Sequence, residues 1–116
     1  MYRRMPAPSG WFPRRGELFL AMLDKERPVL VVSSDALNRH ALDVCVVPIS
    51  TVEYRSFSLR PKLRAGEGGL ARDSWVKCDQ VTTLEKKVIR YPPLGAISSE
   101  SLNQVEQAIK QALELP

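Results

Sequence analysis

The sequence predicts a mainly β domain with added α (α+β), a small sheet closed by a C-terminal helix. Three observations carry this reading. Two apolar runs of strand length, Val29-Leu30-Val31-Val32 and Val44-Cys45-Val46-Val47, are continuous, as in strands covered on both faces. Two later segments alternate with a period of two. Only the C-terminal segment repeats apolar residues every three to four positions.

Along the chain, residues 1–14 hold Pro6, Pro8 and Pro13 without any period, and read as a mobile basic arm anchored at Trp11 and Phe12. Residues 15–116 form the single expected domain. Glu17 to Leu23 is a first strand, and a tight Asp24-Lys25-Glu26 connection leads through Arg27-Pro28 into the first buried run. Ser34-Asp35 starts a short helical turn through Arg39. Pro48 marks where the ladder of the second buried strand must weaken. Next, Leu59, Pro61 and Leu63 alternate with Ser58, Arg60, Lys62 and Arg64, and Pro61 places this strand at an edge. Gly66-Glu67-Gly68-Gly69 is a turn. Ser74 to Thr82 alternates again, with Trp75, Lys77, Asp79 and Val81 on one face. Thr83 caps a short turn through Lys87, and Pro92-Pro93 stops any continuation. Ser98 caps the final helix, whose stripe is Leu102, Val105, Ile109, Ala112 and Leu113. That stripe covers either the open end of the sheet or the same helix of a second subunit.

The bulk properties narrow the function. At 116 residues the chain holds one modest core. No apolar run nears the roughly 20 residues of a membrane helix, and the N-terminus lacks the apolar middle of a signal peptide, so a cytoplasmic protein is expected. Cys45 and Cys78 lie apart, each in an apolar run, and read as buried thiols in a reducing compartment. With one histidine, His40, in a polar turn, a usual zinc set is not expected, nor is any other cofactor. Residues 1–15 carry four arginines and no acid, which equals the whole net charge of +4. Residues 53–90 carry nine bases against five acids, and the flanking segments are acidic. A basic middle suits an anionic partner, although such patches are commonly solvated surface.

Phosphate-cradling, dinucleotide and serine-elbow motifs are absent. What remains is a set of polar residues at strand ends. Arg27 stands at the mouth of a buried strand, Ser50 and Thr51 at the end of another, and Lys77 and Asp79 on a third. A guanidinium fork suits phosphate, hydroxyls donate to phosphoryl oxygens, and a carboxylate orients a base or accepts a 2′-hydroxyl proton. Such a set could cleave RNA without a metal. On spacing alone, a structural Arg27–Asp79 ion pair and a Ser50-Thr51 turn are the stronger reading. Arg60, Lys62 and Arg64 likewise read as edge protection or as RNA contacts.

The wording of these segments shifts that balance. Arg15-Gly16-Glu17-Leu18, Arg27-Pro28-Val29-Leu30-Val31-Val32-Ser33, Asp35-Ala36-Leu37-Asn38-Arg39, Val46-Val47-Pro48-Ile49-Ser50-Thr51, Ala65-Gly66-Glu67-Gly68-Gly69-Leu70, Asp73-Ser74 and Cys78-Asp79-Gln80 follow one another in order. In this the sequence resembles the MazF/PemK family of toxin endoribonucleases of bacterial toxin–antitoxin systems. The resemblance implies an SH3-like small β-barrel (the CcdB/MazF/Kid toxin fold) and a homodimer with single-stranded RNA along its interface. It implies metal-independent cleavage of mRNA by 2′-OH attack, leaving a 2′,3′-cyclic phosphate and a 5′-hydroxyl. It also implies a MazE-like antitoxin, acidic and partly disordered, that blocks the RNA groove. The family's catalytic arginine, acting in acid/base catalysis and phosphate stabilisation, falls on Arg27, and its hydroxyl on Ser50 with Thr51 beside it. Substrate contacts fall on Lys77, Asp79 and Gln80, with Arg60 and Lys62 as further candidates. Ser50 stands where threonine is usual, and the family's longer loop with a G-x-E-Q segment is absent before Arg27. The alternatives are a gyrase-directed, CcdB-like binding toxin of the same fold and an inactive homologue that only binds antitoxin.

Overall fold

A computed structural model describes residues 5–53 and 59–116. Ser58, part of the predicted alternation, and Arg3 and Arg4 of the arm lie outside the described residues. The strands are β1 (Glu17–Met22), β2 (Glu26–Val31), β3 (Asp43–Ser50), β4 (Lys62–Leu63), β5 (Ser74–Val76), β6 (Thr82–Glu85) and β7 (Ile89–Ala96). A short helix α1 (Asp35–His40) joins β2 to β3, and α2 (Ser99–Ala112) closes the chain. The strands form one antiparallel half-barrel sheet in the order β4-β5-β3-β2-β1-β7, with β6 paired to the first half of β3.

The central strands are covered on both faces, as their continuous apolar runs require. One face contributes Leu18, Leu30, Val47, Ile49, Leu63 and Val76 to a core that Val105 and Ala108 of α2 complete. The other contributes Phe19, Ala21, Val29, Val31, Val44, Val46 and Ile89, covered by Trp11, Leu23 and Leu84. Pro48 sits where β3 exchanges neighbours. β6 pairs with β3 up to Val46 and β5 pairs with it from Ile49, so the missing N–H falls between two ladders.

Both helix caps follow the sequence: Ser34 Oγ accepts from Leu37 N–H and Ser98 Oγ from Ser101 N–H. Glu67 accepts from the Ser98 amide and hydroxyl, tying the 3₁₀ turn Glu67–Gly69 to the start of α2. Gly69 is needed there. Its φ is +79°, and a Cβ would lie 2.0 Å from the Leu94 carbonyl oxygen. The stripe of α2 covers the sheet of its own chain through Leu102, Val105, Ala108 and Ile109.

Several expectations need correction. Leu113 lies at the C-cap, half exposed, and Ala108 takes the buried place. β4 has two residues rather than a long alternating strand, and the Arg60 side chain is only 8% exposed, so no solvent stripe of Arg60, Lys62 and Arg64 forms. β5 stops at Val76, and Lys77 to Val81 turn instead of alternating. Thr83 belongs to β6, and the short turn comes after it at Lys86–Val88. Pro92 and Pro93 do not end the chain's sheet. They sit in β7, an edge strand, in the irregular stretch between the Leu20–Arg90 and Leu18–Gly95 pairs where no ladder N–H is required. Cys78 is buried, which pushes its thiol up to about 12, while Cys45 is only half-buried.

Candidate active site

The β1–β2 hairpin pairs Met22 with Glu26 and Ala21 with Arg27. Its tight connection brings Asp24 back over Arg27. The Arg27 Nε and Nη2 donate to Asp24 Oδ1 and Oδ2 at 2.9 and 3.1 Å. The guanidinium holds the Asp24 carboxyl down at about 2, and the carboxylate in turn raises the Arg27 pKa. A guanidinium has five N–H donors, of which this pair uses two. Among the described residues both donors on Nη1 and one on Nη2 remain, a fork that still fits a phosphate bidentately.

β3 delivers the hydroxyls. The β2–β3 register pairs Val29 with Pro48, and its continuation sets Ser50 opposite Arg27. Arg27, Ser50 and Thr51 line one cleft of about 320 Å³ with Glu26, Pro28 and Ser74. The Ser50 hydroxyl oxygen accepts from Val52 N–H at 3.1 Å, which orients it and leaves its proton for another acceptor. Ser74 is buried and its hydroxyl donates to the Arg72 carbonyl at 2.9 Å, so it shapes the wall.

The row continues across the sheet. Ser50 is opposite Trp75, and Trp75 is opposite Lys62. Residues directly opposite share a face, so Lys62, Trp75, Ser50 and Arg27 form one line across four strands. The Lys62 ammonium lies 5.5 Å from the Trp75 ring centre and 3.4 Å from Asp73. Trp75 as a platform beside Ser50 is the residue the sequence reading passed over. Its alternating neighbours were the available signal.

The other predicted contacts are not among the residues that line the cleft. Lys77 donates its amide to the Pro48 carbonyl at 2.9 Å, which sets it two residues from Ser50 along β3. Asp79 does not pair with Arg27. It receives Nε and Nη2 of Arg60, both at 3.0 Å, and that pair draws its carboxyl below the ordinary range. Gln80 is exposed, in the turn that Lys77 and Thr82 close. His40 is exposed, and among the described residues no three His, Cys, Asp or Glu side chains converge as metal ligands. Asn38 of the predicted polar turn is fully buried, bonded to Ser33 through both amide atoms.

Residues 14–113 match the family described as the PemK-like, MazF-like toxin of type II toxin–antitoxin systems. The chain belongs to this family. Among its relatives, Endoribonuclease MazF9 of Mycobacterium tuberculosis is 28% identical over 88% of this chain and 97% of that protein. Endoribonuclease MazF1 of Mycobacterium bovis is 30% identical over 90% and 95%. The structure of a mycobacterial endoribonuclease in complex with its cognate antitoxin superposes with a TM-score of 0.80. It is 30% identical and covers 90% of this chain and 97% of that one. The cleft residues Arg27, Ser50 and Thr51 fall inside the family match, and the segment from Met5 to Pro13 falls outside it.

Proposed function

We propose that the protein is the toxin of a type II toxin–antitoxin pair, an endoribonuclease that cuts single-stranded RNA at the Arg27 cleft. The observation that carries this reading is the meeting of Arg27, Ser50 and Thr51 in one cleft. In the proposed reaction a ribose 2′-oxygen bonds to the adjacent phosphorus as the bond to the 5′-oxygen breaks. The 2′-OH proton leaves to solvent in the open cleft and the 5′-oxygen takes one up. The products are a 2′,3′-cyclic phosphate and a 5′-hydroxyl.

Arg27 acts through its charge. Asp24 raises its pKa further, so the guanidinium stays protonated and donates to the non-bridging oxygens as negative charge builds on them. That supports the phosphate-stabilising part of the role rather than proton abstraction by Arg27. Ser50 and Thr51 donate to a phosphoryl oxygen from the opposite strand. Lys62 over Trp75, with Lys77, gives the strand a basic and aromatic bed on the β5 side. Gln80 contacts the RNA from the neighbouring turn, and the Arg60–Asp79 pair holds that turn against β4. A second copy completes the RNA groove as a homodimer, and an acidic antitoxin segment competes for it.

The test is incubation of the purified protein with mixed single-stranded RNA in EDTA. Cleavage is expected, and Arg27→Ala is expected to lower its rate by at least about a hundred-fold with an unchanged circular dichroism spectrum. Undiminished cleavage by that variant would overturn the assignment.

A further inference from the structure

At the other end of the sheet a second concavity, of about 630 Å³, lies between the arm and the β6–β7 corner. Met5, Pro6, Trp11 and Pro13 form one wall, and Lys87 and Tyr91 form part of the other. The arm is tied down at two points. The Met5 amide donates to the Tyr91 carbonyl at 3.0 Å, and the Trp11 indole meets Phe19 and Tyr91 edge-on, with ring centres 5.7 and 5.2 Å away. Two aromatic rings and two prolines thus face one space. Its rim is cationic. The Lys87 side chain is 76% exposed, and its ion pair with the also exposed Glu85 is the weak kind that a phosphate displaces. Lys86 adds charge, with its ammonium held by the Asn38 and Arg39 carbonyls.

This concavity lies on a line with the cleft. Arg27 is opposite Ala21, and Ala21 is opposite Ile89, so Arg27 and Ile89 share a face two strand spacings apart, about 10 Å. Tyr91 lies two residues beyond Ile89 on the same face. The arm that builds the outer wall precedes the family match. The outer wall of the concavity therefore lies outside the matched segment, whereas Lys87 and Tyr91 lie inside it.

We propose that the space between Trp11, Tyr91 and Lys87 is a subsite for a nucleotide of single-stranded RNA flanking the cleavage point, the base against the rings and the phosphate at Lys87. Planar bases of any identity stack on aromatic rings, while a cationic rim selects the anionic strand. The inference rests on the nuclease reading, and the experiment separates the two.

The probe is a random-sequence oligonucleotide of about 12 residues with 2′-O-methyl riboses, which binds but offers no attacking hydroxyl. Its affinity is read by fluorescence anisotropy for the wild type, Tyr91→Leu, Trp11→Leu and the surface variant Lys87→Gln. A matched probe carrying 4-thiouridine is photocrosslinked and the adducts are mapped. The expected result is a loss of about ten-fold for each aromatic variant and about three-fold for Lys87→Gln, with adducts on Trp11 or Tyr91. Cleavage of unmodified RNA by the wild type, with unchanged affinity in Lys87→Gln and Tyr91→Leu and adducts confined to the Arg27 cleft, overturns the subsite and leaves the nuclease reading standing. A wild type that neither binds the probe nor cuts RNA overturns both. Lys87→Gln and the crosslink map keep the test decisive if Trp11→Leu fails to fold.

Discussion

Replacing Val105 by alanine should lower stability by about 2 kcal/mol, whereas replacing Leu113, eight residues further on at the C-cap of α2, should cost under about 0.5 kcal/mol. Val105 is fully buried against the core of Leu18, Leu30 and Val47. Removing its two methyl groups forfeits about 1.6 kcal/mol of burial, at about 0.8 kcal/mol per carbon. A residual void of about 40 Å³ adds about 1 kcal/mol. Alanine's better helix propensity returns about 0.5 kcal/mol. Leu113 is 53% exposed at the helix C-cap, so truncation removes little contact. An unfolding entropy of about 2.1 cal/mol/K per residue converts these to a fall in Tm of about 8 °C for Val105→Ala and under about 2 °C for Leu113→Ala. Thermal unfolding followed by circular dichroism reads both. A Val105→Ala protein melting within about 2 °C of wild type would refute the packing of α2 on its own sheet. A large, concentration-dependent loss in Leu113→Ala would show that a second copy covers the helix end.

Three further outcomes follow from the site and its supports. Asp24→Asn should lower kcat/KM by about ten-fold with Tm unchanged, because it loosens the Arg27 fork without touching the core; steady-state cleavage rates beside a melting curve check this. Asp79→Asn should lower Tm while cleavage by the folded protein persists, since Arg60 loses a charged partner. The Asp79 carboxyl is lowered in the folded state, so its stabilisation is full above the ordinary carboxylate range and is lost as pH falls through the lower folded value. The Tm gap between wild type and Asp79→Asn should therefore close in acid, and a gap that widened there would contradict the ion pair. Gly69→Ala should prevent or severely weaken folding, read as loss of soluble protein or of a cooperative melt, because the added Cβ meets the Leu94 carbonyl.

The parts of the fold that the sequence disclosed were those governed by local patterning. Continuous apolar runs marked β2 and β3, capping serines marked both helices, and Pro48 marked a weak point in the ladder of β3, which falls where β6 gives way to β5. What stayed hidden depended on contacts distant in sequence. Pro92 and Pro93 are poor strand residues by any local rule, and only the irregular edge pairing with β1 accommodates them. Alternation from Ser74 to Thr82 was real in the sequence, but one edge of β3 takes β6 up to Val46 and β5 from Ile49, so the chain turns over Lys77 to Val81 to pass between the two. At the site, the family wording picked out Arg27, Ser50 and Thr51, which share the cleft. Charge alone misassigned the partners. Asp24, three residues from Arg27 across a tight turn, takes the guanidinium, and Asp79 goes to Arg60. Arg60 and Asp79 are 19 residues apart, a pairing that no periodicity signals.

The chemistry of the RNA ends tests the central claim most directly. With a metal chelator present, fragments made by the wild-type protein should carry 2′,3′-cyclic phosphate and 5′-hydroxyl ends, and 2′-O-methyl RNA should remain intact. Fragments with 3′-hydroxyl and 5′-phosphate ends, or cutting of the 2′-O-methyl strand, would contradict attack by the 2′-oxygen at the Arg27 cleft.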